Sequence, residues 1–549
     1  MYYFWILVIS VGVCTRLLSL ISVERQRRLK SSFGSTSRPA NRKHDGLKEI
    51  STAWIRRHLT VPATFGNRCS QPYGWCTIPP RIQSFTIFLF VALNFFLCTC
   101  SYELTTGNLY WPEKSAQLLR YVSDRTGIIS LANFPLVWLF GMRNDALMWV
   151  TGWGFGTYNA FHRWVARVAT LQAVIHSLGY TVMILESGGW DDFLKYWEKH
   201  YFWNGELATI AMCALLAFSL YGIRRAHYEI FLVTHIVLSI VALWSIYYHV
   251  EIFTNREWNI FIWPCFAIWL LDRVLRAGRI ITFNRHFWNT TATVCYDPLS
   301  NIVRMNVDGS KTWLKPQPGT YYYIHVLDNP FYAHQNHPFT LAYTSADTSP
   351  SPSTHRPVPH RYSSTESSTL LTPTSSLSTS SFNLTFLVRP YAGFTSRLRS
   401  HALLHPTTLR VLIDGPYGTS LPLHLHANIL FIVGGTGIAV PLSHLARLLD
   451  PSSHVQRVTI VWALREHAFL ASVLREFAGL LGDDRVAVQV HVTQEREVVD
   501  AALDEDVKSV RVVTRRPDVG GAVREAVRDA EGRVAVVACG PAGMADQAR

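Results

Sequence analysis

Two apolar stretches, FHRWVARVATLQAVIHSLGY at 161–180 and HYEIFLVTHIVLSIVALWSIYYHV at 227–250, each carry two histidines fourteen positions apart. The first pair is His162 and His176, the second His235 and His249. Fourteen residues make nearly four helical turns, so each pair lies on one helix face with about 21 Å between its members. That rise covers most of the hydrocarbon thickness of a bilayer. Ionisable side chains inside a membrane are costly and are kept where they have work to do. Neutral imidazoles are good axial ligands for haem iron, and two facing helices with this spacing offer two stacked pairs. The reading that absorbs all four residues is two bis-histidine b-type haems. His227, at a basic helix entrance, does not extend the pattern.

Five further apolar segments, near 2–22, 83–103, 127–143, 205–223 and 256–275, join these two in a seven-span arrangement. The third is short and contains Asn133 and Pro135; the first has signal-peptide length, but Arg16 sits within it and no cleavage site is clear. Basic residues cluster in 23–82, at Arg224 and Arg225, and at Arg273, Arg276 and Arg279, while 186–206 carries an acidic excess. The positive-inside rule then puts the N-terminus outside and everything beyond about residue 276 in the cytosol. His162 and His235 both follow cytosolic loops. The expected pairs are therefore His162 with His235 near the inner face and His176 with His249 near the outer face. The formal charge of +13 is read as membrane anchoring, with no nucleic-acid partner. Nine scattered cysteines show neither zinc nor iron–sulfur spacing and no disulfide framework. The sequons at Asn289 and Asn383 fall on the cytosolic side and are discounted.

After residue 285 the pattern changes to short alternating runs: TATVCYDP, NIVRMNV, TYYYIHV, NLTFLVRP and TLRVLIDG, the strands expected of a small β-barrel over 285–420. Residues 348–382 are Ser-, Thr- and Pro-rich and are expected to be a disordered insertion. From 427 to 549 strands alternate with helices. Gly434, Gly435, Thr436 and Gly437 fall between a buried strand and a helix, where a backbone can approach a pyrophosphate. Strands at 457–464, 485–492, 509–514 and 533–540 complete an α/β sheet with its ligands at the strand ends.

Taken in order, RTGIISLANFPLVWLFGMRN (125–144), the two double-histidine helices, HPFT (337–340), PYAGFTSRL (390–398), DGPYG (414–418), VGGTGI (433–438), WALR (462–465) and CGPAGM (539–544) resemble the fungal ferric-chelate reductase family, relatives of the NADPH oxidases. The resemblance covers 80–347 and 383–549. It implies a multi-domain membrane protein: a first span (1–22), a basic cytosolic segment (23–82), an α-helical haem domain (83–275), a ferredoxin-reductase-like FAD barrel and an NADPH-binding α/β domain. By the same resemblance His337, Pro338, Phe339 and Thr340 hold the flavin, and Gly393, Phe394 and Thr395 lie near its phosphates. Gly434 to Gly437 are the nicotinamide-dinucleotide turn, Arg465 and Arg516 contact the 2′-phosphate, and Cys539, Gly540 and Pro541 lie beside the nicotinamide. Phe339 and Cys539 are the catalytic positions implied.

The activity implied is transfer of electrons from cytosolic NADPH through FAD and two b-type haems to extracellular ferric, or cupric, chelates or siderophore-bound iron, in support of iron uptake. The site implied is the plasma membrane, with a vacuolar membrane left open. An iron permease or oxidase partner cannot be read from the sequence. Tyr343 stands where relatives carry a small hydroxyl residue, which puts flavin affinity in question. The chain ends at Arg549, where relatives continue to a terminal aromatic residue, so the α/β domain reads as truncated. Two other functions remain open: a superoxide-producing NADPH oxidase and a non-catalytic membrane haem protein. The spacing in the second histidine helix, the extra N-terminal span and the lack of an EF-hand pattern favour the reductase.

Overall fold

A computed structural model describes residues 1–32, 54–253, 255–284, 290–309, 315–346, 382–451, 453–494, 510–530 and 532–549. The expected insertion, apart from Phe382, and residues 33–53 of the basic segment lie outside the described residues. The chain divides into two compact units, Met1–Ala277 and Gly278–Ala548.

The first unit is helical: α1 (Tyr2–Ser32), α2 (Arg81–Thr99), α3 (Lys114–Gly141), α4 (Ala146–Thr151), α5 (Phe155–Trp197), α6 (His200–Phe218), α7 (Tyr221–Ala226), α8 (Tyr228–His249) and α9 (Trp263–Phe283). Among the described residues, α1, α2, α5, α6 and α8 are long and apolar enough to cross a membrane. The expected spans at 127–143 and 256–275 lie in α3 and α9, which do not reach that hydropathy. The reason is visible in α3, where Ser123, Thr126, Ser130 and Asn133 are buried against protein. The Asn133 amide donates to Asn94 of α2 (3.2 Å) and to Gln172 of α5 (3.1 Å), so part of α3 is polar because neighbouring helices cover it. The segment 186–206, expected as an outer loop, is mostly helical; α5 continues to Trp197 across a break at Gly188 and Gly189, the latter at φ 63°.

Helix α3 packs along α5, and α6 along α8. Where the four meet, the core is rich in small side chains: Ala169 and Ala173 of α5, Ala208 and Ala211 of α6, and Ala242 of α8, with Leu131 and Phe134 of α3. Small residues let helix backbones approach closely, the main source of helix adhesion where lipid supplies no hydrophobic drive. A second cluster joins Trp5 of α1 and Phe90 of α2 to Phe140, Tyr158 and Phe161.

The second unit holds a closed antiparallel barrel, in the order β1-β2-β5-β4-β3-β6, and a parallel five-stranded sheet, in the order β10-β9-β8-β7-β11. The barrel strands are β1 (Thr291–Asp297), β2 (Ile302–Asp308), β3 (Tyr321–Val326), β4 (Asn336–Ala346), β5 (Phe382–Val388) and β6 (Thr407–Tyr417). Alternating burial sends Val294, Met305, Ile324, Phe386 and Ile413 into its core. Strand β4 is absent from the sequence reading, which took HPFT only as a motif. Its first half, Asn336–Thr340, pairs with β3; β5 joins only from Leu341 onward, with a register shift between Leu341 and Tyr343. Pro338 has no N–H to give a ladder, and a half-open edge is where a strand tolerates it. Phe382, expected to end the insertion, instead begins β5.

The sheet strands are β7 (Asn428–Gly434), β8 (Arg457–Leu464), β9 (Val486–Val492), β10 (Val510–Val513) and β11 (Val534–Cys539). Strand β7, NILFIVG, is apolar and buried from Ile429 to Val433 because both faces are covered. On one side lie α11 (Ala439–Leu448) and α12 (His467–Leu481). On the other lie α13 (Val519–Arg528) and α14 (Ala542–Ala548). The short α10 (Phe394–His401) belongs to the barrel. The order of strand addition reverses at β7: β8, β9 and β10 are added outward on one side, and β11 returns to the other, all parallel. Such a switch point opens a crevice at the carboxyl ends of the strands.

His444 of α11 is buried beneath Gly319, which donates its N–H to Ser443 (3.0 Å). Burial, helped by Arg447, pushes His444 down to about 4. Burial likewise lowers His491. A histidine that stays neutral in the fold loses to the unfolded chain as pH falls, because only the unfolded chain takes up the proton. Between pH 6.5 and 4 the sheet should therefore lose stability progressively. Amide protection factors in β7 and α11 of the solubilised full chain, taken relative to the intrinsic exchange rate at each pH, should fall through that window, and His444→Asn should remove part of the dependence.

Candidate electron-transfer sites

Helices α5 and α8 bring the four histidines into two pairs. The ring centres of His162 and His235 are 6.2 Å apart, and those of His176 and His249 are 6.0 Å apart. Two metal–imidazole bonds of about 2.0–2.1 Å, plus the half-widths of both rings, make roughly 6 Å. Each gap therefore suits one ion held from both sides. Among the described residues, no group of three or more His, Cys, Asp or Glu side chains could hold a metal. Each pair thus offers two axial ligands and no equatorial set, the donor count that a porphyrin iron requires.

Three of the four rings are held by main-chain carbonyls through Nδ1. His162 bonds to Val137 O (2.8 Å), His176 to Ser123 O (2.8 Å) and His249 to Tyr201 O (2.9 Å). Such a bond puts the proton on Nδ1, leaves Nε2 free to ligate, and strengthens the ligand. Four residues after each carbonyl stands a glycine: Gly141, Gly127 and Gly205. A Cβ at Gly127 or Gly205 would stand 2.5 Å from the Nδ1 of His176 or His249, and one at Gly141 would stand 3.1 Å from that of His162. Only a backbone without side chains admits the rings to the carbonyls. The sequence reading missed these glycines, although a signal existed: Gly127 and Gly141 repeat the fourteen-residue spacing of the histidines they serve.

In the barrel, His337, Pro338, Phe339 and Thr340 line the open half of β4. Phe394, buried at the start of α10, lies 4.8 Å from the His337 ring and stacks 6.1 Å from Phe339. Gly393 caps α10 with φ 81°, a conformation that favours glycine, and Thr395 Oγ1 accepts from Tyr391 N (2.8 Å). The two expected groups thus form one surface. Beside it a cavity of about 230 Å³ is lined by Phe394, Arg397, Tyr332 and Asp328. Arg397, which the sequence reading quoted without assigning, stacks 4.1 Å over Tyr332 and donates to Gln335. Tyr343 is elsewhere. Its ring packs on Phe477 of α12 (4.8 Å) and its hydroxyl donates to Glu476, which also pairs with Arg304. Its bulk fits against the sheet domain rather than among the residues around Phe394.

At the switch point, Gly434 to Gly437 face Cys539 to Pro541. A Cβ on Gly434 would reach 2.7 Å from Pro541, and one on Gly437 would reach 2.4 Å from the Cys539 carbonyl oxygen. Trp462 holds the turn by donating to Gly435 O (3.0 Å). Burial raises the Cys539 thiol, so it stays protonated near neutral pH. Arg465 and Arg516 are exposed beyond the carboxyl ends of β8 and β10, with β9 between them. Helix α11, opened by the glycine turn, packs on β4, the strand that carries His337 and Pro338.

Three family models match in the same order: a ferric reductase like transmembrane component over 126–246, an FAD-binding domain over 286–351 and a ferric reductase NAD binding domain over 426–549. The chain belongs to the ferric reductase family. It is 27% identical to a probable ferric reductase transmembrane component of Candida albicans, over 90% of this chain and 72% of that one. It is 28% identical to ferric reductase transmembrane component 5 of Saccharomyces cerevisiae, over 92% and 69%. It is 27% identical to ferric/cupric reductase transmembrane component 1 of Candida albicans, over 90% and 64%.

The glycine turn of this ferric reductase family member is open to a direct check. Gly437→Ala places a Cβ against a main-chain oxygen, which cannot rotate away. The cost should be about 1–3 kcal/mol of overpacking. It should appear as a lowered denaturation midpoint of the sheet domain and as weaker protection of that domain by NADPH.

Proposed function

We propose that this chain is a metalloreductase of the plasma membrane, moving electrons from cytosolic NADPH to ferric, and by relation to its ferric/cupric relative also cupric, chelates outside the cell. The observation that carries this reading is the pair of imidazole gaps, each sized for one iron, in a chain that continues into a flavin barrel and a nucleotide sheet. When bound, NADPH would supply a hydride, FAD would take its two electrons and proton and release the electrons one at a time, and haem iron would carry single electrons.

The protein's share is holding, orienting and insulating. His162 with His235, and His176 with His249, are the residues to hold two b-type haems, the first pair inward and the second outward by the positive-inside rule. The carbonyls of Val137, Ser123 and Tyr201 hold Nδ1 of three of these rings, which would leave Nε2 to hold an iron. The apolar helices around each pair lower the dielectric and exclude water. In the barrel, the backbone of His337 to Thr340, left without a second strand, offers hydrogen-bonding groups to a flavin ring, and Phe339 offers it an apolar face. Gly393 to Thr395 and Gly434 to Gly437 open helices toward pyrophosphate. Arg465 and Arg516 present guanidinium forks to a 2′-phosphate. The protonated Cys539 gives the nicotinamide a neutral, polarisable neighbour.

Cells expressing the full chain should reduce an impermeant ferric chelate at their surface, insensitive to superoxide dismutase. Dismutase-sensitive reduction would instead make oxygen the acceptor. His176→Ala and His249→Ala should each lose one of two b-type haems and drop surface reduction to background while flavin content is unchanged. A two-haem spectrum in either variant refutes the ligand assignment.

A further inference from the structure

The first unit repeats one device. On α3, Ser123 and Val137 present carbonyls, each followed after four residues by a glycine, to the two histidines of α5. On α6, Tyr201 and Gly205 present the same pair to His249 of α8. Fourteen residues further along α6 stand Leu215 and Ser219, the positions that should serve His235. Here the pattern breaks: serine occupies the glycine position. Among the described residues the carbonyl of Leu215 accepts the main-chain N–H of Ser219 (3.1 Å) and no imidazole, and His235 Nδ1 meets the Ser219 hydroxyl at 3.4 Å. Ser219 carries the Cβ that glycine lacks at the other three positions, and here the ring meets the hydroxyl in place of a carbonyl.

We propose that Ser219 is a positioning residue that makes the two imidazole pairs electronically unequal. The inference rests on the reading of those pairs as haem ligands. A helix carbonyl at 2.8–2.9 Å draws strongly on the Nδ1 proton of the other three rings and gives their Nε2 more anionic character. A hydroxyl at 3.4 Å lies beyond the usual 2.7–3.2 Å range for N–H···O bonds and draws weakly. His235 is thus the least basic of the four ligands. A less basic axial ligand favours the ferric state less, so the site of His162 and His235 takes up an electron more readily than it would with a fourth carbonyl. Under the proposed orientation this is the inner site, the first to receive an electron from the flavin. Phe231 flanks the His235 ring at 5.4 Å and offers no competing acceptor.

The test uses purified full-length protein with both b-type bands followed through a redox titration, and electron paramagnetic resonance of the oxidised sample. Ser219→Gly removes the Cβ and opens the Leu215 carbonyl; it should lower the midpoint potential of one haem only and move that haem's resonance. Ser219→Ala keeps the Cβ and removes the acceptor; it should raise the same potential. Ser219→Thr, which retains the hydroxyl, should stay with the wild type. Should the alanine variant shed a haem, the glycine variant decides. Unmoved potentials, or a shift in the same direction for glycine and alanine, overturn the role of Ser219 while leaving the two-haem reading in place. A wild-type protein with no two-haem spectrum overturns that reading and this inference together.

Discussion

Everything in the helical unit depends on imidazole N–H groups reaching main-chain carbonyls that are already engaged in helices. A carbonyl oxygen has two lone pairs, so it can keep its helical bond and accept a second one from the side. Inside a bundle a polar N–H without an acceptor is costly. Satisfying it requires a neighbouring helix with no side chain at the point of approach, which accounts for Gly127, Gly141 and Gly205. The alanines between α5, α6 and α8 serve the same end by keeping the axes close. Three of the four histidines are thus fixed by backbone, which cannot rotate away as a long side chain can. A ligand fixed in this way changes little when an electron arrives.

The second unit answers a different constraint. Flavin and dinucleotide are large and polar, and binding them demands backbone groups not yet spent on secondary structure. The barrel leaves such groups in the part of β4 before Leu341, which β5 does not reach. The sheet leaves them at the switch between β7 and β11, where glycines let two loops nearly touch. Tyr343 and Glu476, Arg389 and Glu466, and Gly319 and Ser443 join barrel to sheet. Since α11 both opens at the glycine turn and packs on β4, the two sets of spare backbone groups are held by one element.

Much of this was legible in the sequence because the signals are periodic. Fourteen-residue spacing survives any detail of packing, and strand alternation marked five of the six barrel strands and all five sheet strands. Strand β4 escaped because half of it serves an open edge, where a proline interrupts the usual pattern. Helix α3 looked weak as a span because its polar residues are satisfied by Asn94 and Gln172, residues distant in sequence. Tyr343 looked like a departure within the flavin site, and only the position of α12 gives its ring and hydroxyl their partners.

The sequence by itself determined the four histidines, the order of the domains and the glycine turns, since each is a matter of spacing along one chain. The tertiary structure alone decided which carbonyl each imidazole meets, why three glycines stand where they do, and that His235 has a hydroxyl in place of a carbonyl. These are contacts between helices, and the difference of one Cβ at Ser219 acquires meaning only when another helix is brought against it.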